Sequence, residues 1–348
     1  MLKKLKIVQF RSIHTMDLNF EKRTAIIGRN WAWKTNILQA ICHVFGKKNE
    51  FSFDDMLQIW WDYMYLEAFF EKDNFENKVT FSYDKTTDKK LITLNGKKAT
   101  KKQLFEHLLK ISYFSPIQMN LFYLWPKTRR DFLDSILSQT FLEYDTLLKN
   151  YEKIVKNRNK VLKNIFEGKS KKEEIDFWNT NFIQTAKKIY EYKIPLNKFI
   201  QQQIQLHPDV FQNKITSIDY TYITKVNLEN IDESIQTYLD KNFERDIILW
   251  KTHIWPHIDD FDVLINGKSL TSFASRGEIK SIILILKQIE IQYIKQITWI
   301  EPILLIDDLG SELDEEHFLL MLEKTKELQI IYTAITAIEK EKTNIFLN

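Results

Sequence analysis

The sequence predicts an α/β fold in which both ends of the chain build one head and a mainly helical lobe is inserted between them. Two changes of texture carry this. Residues 1–104 and 251–348 hold short apolar or alternating stretches, whereas residues 105–250 are dominated by long charged stretches with helical spacing. A third observation joins the ends. A strand–loop–helix around residue 28 and an apolar strand closing on two acids at residue 307 belong together only if the two ends share a sheet. The expected division is therefore 1–104 and 251–348 for the head and 105–250 for the insertion, and 348 residues are enough to bury a core without staples.

The elements follow in order. Leu5-Lys6-Ile7-Val8-Gln9-Phe10 and Met16-Asp17-Leu18-Asn19-Phe20 read as short strands. Arg23-Thr24-Ala25-Ile26-Ile27 is a compact apolar strand ending at Gly28. Residues 36–45 read as a helix, with Ile37, Ala40, Ile41 and Val44 on one face. Residues 64–94 alternate and are rich in Phe, Tyr, Thr and Ile, as strands are, and Asn95-Gly96 signals a hairpin turn. In the insertion, residues 129–137 carry one apolar stripe, residues 151–166 look like a protruding arm poor in large apolar residues, and residues 174–192 read as a helix. Residues 220–228 suggest a strand. Asn266-Gly267 is a second hairpin signal, residues 281–297 a strongly apolar helix, and residues 303–306 and 328–332 short strands.

Composition excludes several classes. A single cysteine, Cys42, leaves no disulfide framework and no cysteine-ligated zinc, and the seven histidines form no metal-binding cluster. No apolar run approaches 18 residues and none follows Met1, so neither a membrane span nor a signal peptide is expected, and the cytoplasm is the expected compartment. The net charge of +3 describes no polybasic tail. Glycine is scarce, at 7 residues, while tryptophan reaches 9.

The tryptophans matter because of where they stand. Gly28-Arg29-Asn30-Trp31-Ala32-Trp33-Lys34-Thr35 follows a strand and opens a helix, and it places Gly28, Lys34 and Thr35 as the phosphate-loop pattern GxxxxGK[ST] requires. Trp33 occupies the second glycine position and Trp31 a place where many such loops have another. Successive backbone N–H groups must wrap a phosphate closely there, and a large side chain obstructs this. Two readings stay open. Either this is an ordinary helix start, or the printed tryptophans stand for UGA codons that the native organism reads as glycine. The second explains scarce glycine and abundant tryptophan together.

Ile303-Leu304-Leu305-Ile306-Asp307-Asp308 has the form of a Walker B strand. Asp307, with Thr35, is the candidate Mg²⁺ ligand, and Asp308 the candidate group that orients the attacking water. Ser311-Glu312-Leu313-Asp314 follows directly. About thirty residues earlier, Phe273-Ala274-Ser275-Arg276-Gly277-Glu278 precedes the apolar helix. Ser275 can cap that helix and Gly277 permits close approach, as in an ABC-type signature loop that completes the site of a second subunit in a head-to-head dimer. The bland alternative is a simple N-cap.

Five stretches together resemble the RecF family, bacterial recombination and gap-repair ATPases related to the SMC proteins. They are residues 5–11; the loop running on through Lys34-Thr35-Asn36; Phe114-Ser115-Pro116 with Pro126-Lys127-Thr128-Arg129-Arg130-Asp131-Phe132-Leu133-Asp134; Trp255-Pro256-His257-Ile258-Asp259-Asp260; and the signature and Walker B segments. The resemblance implies an ABC/SMC-type P-loop ATPase head that holds ATP and Mg²⁺ with Gly28, Arg29, Asn30, Trp31, Ala32, Trp33, Lys34, Thr35, Asn36 and Asp307. It assigns catalysis to Asp308, Lys34, Ser275 and Gly277. It implies binding to single- and double-stranded DNA, an ATP-dependent homodimer with slow hydrolysis, and cooperation with RecR and RecO in placing RecA on gapped DNA. It also puts glycine at positions 31, 33 and 255, less securely at 61, 125, 250 and 299, and an aromatic at Trp178. Ile258 departs from the family by replacing an arginine.

Candidate phosphate contacts for DNA are Lys3, Lys4, Arg11, Lys127, Arg129, Arg130, Lys156, Arg158 and Lys160, against the plainer view of lysines as solvated surface. Two other functions remain in play: a different SMC-like ATPase, which usually carries a nuclease domain or long coiled coil, and a non-catalytic DNA-binding scaffold with genuine tryptophans.

Overall fold

The chain opens with β1 (Leu2–Phe10), β2 (Ile13–Asn19) and β3 (Arg23–Ile27), followed by α1 (Lys34–Val44). β4 (Tyr63–Lys72), β5 (Phe75–Asp84), β6 (Lys89–Leu94) and β7 (Lys97–Lys98) come next, then α2 (Lys101–His107), β8 (Ile111–Phe114) and α3 (Pro116–Met119). The computed structural model describes residues 1–29, 33–47, 54–57, 60–206, 217–253, 256, 258–308, 325–335 and 344–347. Asn30, Trp31, Ala32, Trp255, His257 and the Ser311-Glu312-Leu313-Asp314 stretch lie outside them.

Two compact units are distinct: Met1–Asn120 with Glu290–Asn348, and Leu121–Ile289. The first contains two sheets. One is antiparallel, in the order β2-β1-β4-β5-β6-β7. The other is β14-β3-β13-β12-β8, adding β12 (Ile303–Ile306), β13 (Ile330–Ala334) and β14 (Asn344–Phe346), with every pairing parallel. Parallel strands covered on both faces read as continuous apolar runs, as β3 and β12 do. The antiparallel strands alternate instead, since only one face is buried. Ile37, Leu38 and Ile41 of α1 are fully buried in the core that both sheets supply. Asn95-Gly96 makes the expected two-residue turn between β6 and β7, with φ of 52° and 79°.

The second unit holds α4 (Pro126–Thr140), α5 (Tyr144–Phe166), α6 (Glu174–Ile204), α7 (Ile231–Lys241) and α8 (Phe243–Leu249). It also holds the sheet β11-β10-β9, made of β9 (Ile218–Ile223), β10 (Asp260–Ile265) and β11 (Lys268–Ser269), then α9 (Leu270–Phe273) and most of α10 (Arg276–Thr298). α5 is no protruding arm, because Tyr144, Tyr151, Ile154 and Leu162 are buried along it. Among the described residues no helix is long and apolar enough to cross a membrane.

The unit boundaries differ from 104/105 and 250/251. β8 belongs to the first unit because it pairs in parallel with β12 (Leu305 beside Tyr113), and β10 belongs to the second because it pairs with β9 (Val263 beside Tyr220). Both pairings are long-range and leave no local mark in the chain.

Candidate functional site

β3 delivers Gly28 to the C-terminal edge of the parallel sheet, where the Gly28 N–H donates to the Ala334 carbonyl at 3.2 Å. Binding crevices in open α/β sheets lie at this edge. α1 begins at Lys34, whose Nζ donates to the carbonyls of Gly28 (2.5 Å) and Ala334 (3.2 Å). Burial lowers the Lys34 pKa, while the Asp308 and Asp307 carboxylates oppose that shift. The ammonium is therefore poorly hydrated and already close to both acids of the Walker B strand.

Thr35 and Asp307 meet although 272 positions separate them: the Thr35 hydroxyl donates to Asp307 Oδ1 at 3.0 Å. Two further hydroxyls reach the same buried carboxylate, Thr333 at 3.0 Å on Oδ1 and Tyr113 at 3.1 Å on Oδ2. The Tyr113 phenol is pushed well above its ordinary pKa by burial and by the Asp307 charge, so it stays a proton donor. Thr333 also accepts from the Asp308 N–H at 2.7 Å, in a turn where Asp308 has a φ of 50°. Asn36 donates to the Ser12 hydroxyl at 2.7 Å and accepts from Arg11 at 3.4 Å, which ties the end of β1 to α1. Arg29 is exposed. Tyr113 and Thr333 escaped the sequence reading. The only signal was a hydroxyl-bearing residue one place before the end of each of two short apolar runs.

The donor set suits a hard divalent cation: the hydroxyl of the exposed Thr35 and the buried Asp307 carboxylate converge. The loop backbone fits less simply. Eleven described non-glycine residues have positive φ, of which six are Asn or Asp. Three of the other five are Trp33 (52°), Trp250 (51°) and Trp299 (59°). Left-handed backbone is rare for a bulky side chain and ordinary for glycine. Trp33 is the N-cap of α1 and makes no capping hydrogen bond, and Trp250 is the C-cap of α8.

Ser275 and Gly277 lie in the second unit. Glu278 N–H donates to the Ser275 hydroxyl at 3.3 Å and Ser275 N–H to the Glu278 carboxylate at 2.6 Å, a capping box at the start of α10. Both Ser275 and Gly277 are exposed, and a Cβ built on Gly277 would meet nothing within 4 Å. Packing among the described residues does not call for that glycine.

The two central stretches without evident chemistry meet in the same unit. Arg129 grips Asp260 through two nitrogens at 2.6 and 2.8 Å, and Arg130 donates to the Asp259 carbonyl at 3.1 Å. Lys193 bridges Asp134 and the Pro256 carbonyl, each at 3.2 Å. Asp259 accepts from the Tyr222 hydroxyl at 2.6 Å, and burial raises its pKa. These residues hold α4 to the start of β10. Ile258 is exposed. Arg158 is not a DNA contact: it is fully buried, paired with Asp246 at 3.2 Å and hydrogen-bonded to Asn179 and Thr252. Its isolated place in a Lys- and Asn-rich helix concealed this.

This parallel sheet, with its phosphate-loop lysine and Walker B acids, defines a P-loop head of the SMC class. The profile of the RecF/RecN/SMC N terminal domain matches residues 1–346. DNA replication and repair protein RecF of Clostridium acetobutylicum is 31% identical, with 99% of this chain and 96% of the relative covered. RecF of Thermoanaerobacter sp. strain X514 is 30% identical, with 96% and 94% covered. A solved structure of the recombination mediator protein RecF with ATP, in the RecFOR pathway, superposes with a TM-score of 0.87 at 25% identity, covering 98% of this chain and 93% of that one. The chain belongs to the RecF family.

Proposed function

We propose that this chain is a cytoplasmic ATPase of recombinational and replication-gap repair that dimerises with ATP on gapped DNA and works with RecR and RecO to help load RecA. The observation that supports this most is the Thr35–Asp307 contact at 3.0 Å, made by the two chain ends. Thr35 and Asp307 would hold Mg²⁺, and Gly28, Lys34 and the loop from Arg29 to Asn36 the phosphates. Bound ATP and Mg²⁺ would supply the scissile phosphate and its charge neutralisation. Lys34 holds a positive charge beside Asp307 and Asp308. Asp308 would accept a proton from, or orient, the attacking water. Tyr113 and Thr333 keep the Asp307 carboxylate fixed by donating to it. Open space around Gly277 fits a loop that touches a second copy of the chain.

The loop reading includes glycine in the native protein at 31, 33 and 255, with UGA as the codon. Left-handed backbone at Trp33 supports it at that position, and the same backbone at Trp250 and Trp299 supports glycine at two of the less secure positions. The experiment for the catalytic assignment is Asp308→Asn in the chain with glycine at 31 and 33: ATP binding persists and steady-state hydrolysis falls at least tenfold, an order set by general-base catalysis. Unchanged hydrolysis removes Asp308 from the mechanism.

A further inference from the structure

Positive charge is not spread over this chain. The 19 residues from Asp84 to Lys102 carry seven lysines and two aspartates, a net of +5, whereas the whole chain nets +3. The rest is net acidic. Structurally this segment is the β5–β6 turn, the β6–β7 hairpin at the edge of the antiparallel sheet, and the start of α2.

Its two acids are already engaged. Asp84 accepts from the Thr86 hydroxyl at 2.6 Å and the Thr87 N–H at 3.1 Å, and Asp88 accepts from the Tyr83 hydroxyl at 3.2 Å. Lys85, Lys89, Lys97 and Lys98 are exposed and have no ion-pair partner among the described residues. Three cations nominated from the sequence behave differently: Lys3 pairs with Glu71 at 2.9 Å, Lys4 with Asp17 at 3.9 Å and Lys127 with Asp131 at 2.6 Å, whereas Lys156 and Lys160 on α5 are exposed like the hairpin lysines, which makes that helix the control below. α2 opens with Lys101 and Lys102, the second of them paired with Glu106 at 3.8 Å.

Edge lysines also guard a sheet against pairing with another chain. Lys97 and Lys98 on the edge strand β7 would serve that purpose. It does not account for Lys85 and Lys89 at the neighbouring turn, nor for the pair opening α2.

We infer that the β6–β7 hairpin, with the flanking turn and the start of α2, is a surface for the phosphate backbone of duplex DNA. This rests on the DNA-binding reading above and locates it. The segment from 84 to 102 contains no aromatic residue, so it offers no platform for stacking unpaired bases. Lys85, Lys89, Lys97 and Lys98, which have no ion-pair partner among the described residues, give contacts that ignore sequence and respond steeply to salt.

The test compares two triple variants of the full chain with equal charge change: Lys89→Gln/Lys97→Gln/Lys98→Gln, and Lys153→Gln/Lys156→Gln/Lys160→Gln on the exposed side of α5. Binding to a fluorescent duplex is measured across salt, with and without ATP and Mg²⁺, beside binding to a single strand of equal length and to anionic vesicles. The hairpin variant is expected to lose at least tenfold in duplex affinity near 0.1 M salt, and its log–log salt slope should shrink by about 2 to 3. The α5 variant should lose less than about threefold, since the inference gives it none of these contacts. Equal losses in the two variants overturn the inference. So do an unchanged slope with increased aggregation (edge protection alone), a loss confined to single strands, and a loss confined to vesicles. If the unaltered chain binds no DNA, the broader DNA-binding reading fails instead.

Discussion

His43 lies edge-on to Phe81 with ring centroids 4.3 Å apart, and burial pushes its pKa down to about 4. Its ordinary value is near 6.5. Between those values the unfolded chain binds a proton that the folded chain refuses. Stability is therefore full above pH 6.5 and declines as the pH falls toward 4, by about 3 kcal/mol at most. Urea unfolding between pH 7 and 4.5 should show this slope, and His43→Gln should flatten it. An identical slope in the variant removes His43 as its source. Trp299 tests the backbone argument at a site without ligand chemistry. It is 90% exposed with a φ of 59° and directly follows α10. Trp299→Gly should raise unfolding stability by about 1 kcal/mol by relieving left-handed strain. A loss of that size would mean that the indole itself stabilises the fold.

At the scale of elements, strands with a compact apolar signature were readable. β3 and β12 fall where their apolar runs end, and both Asn-Gly turns sit where hairpins were expected. β8 was not readable, because four residues have no meaning until β12 lies beside them. The same register brings Tyr113 to Asp307, so half of the carboxylate's surroundings was hidden with it. Arg158 was misjudged because its partners Asn179, Asp246 and Thr252 come from two distant stretches of the chain. α10 raises a separate question. Its capping box is complete within the chain, yet Gly277 faces open space. In the chain with glycine at 31 and 33, Ser275→Arg should leave ATP binding by the monomer intact and abolish the ATP-driven dimer, as read by sedimentation velocity. A dimer of undiminished strength means that this loop does not meet a second subunit.

For the whole molecule, the chain ends are joined by chemistry as well as by strand pairing. Ile330 to Ala334 lie along Arg23 to Ile27, and this register sets Asp307 against Thr35 and Lys34 against the Ala334 carbonyl. The phosphate-loop pattern was legible from Gly28, Lys34 and Thr35 alone, and the tryptophans within it were legible as a contradiction. UGA at codons 31, 33 and 255 is the expected resolution. The most direct test is equilibrium binding of ATP with Mg²⁺ to three full-length forms: the printed sequence, its Trp31→Gly/Trp33→Gly variant, and that variant carrying Asp307→Ala. The account predicts binding by the glycine form, at least tenfold weaker binding by the printed form, and loss of the Mg²⁺-dependent part with Asp307→Ala. A glycine form that binds no ATP, or binding indifferent to Asp307, would contradict it.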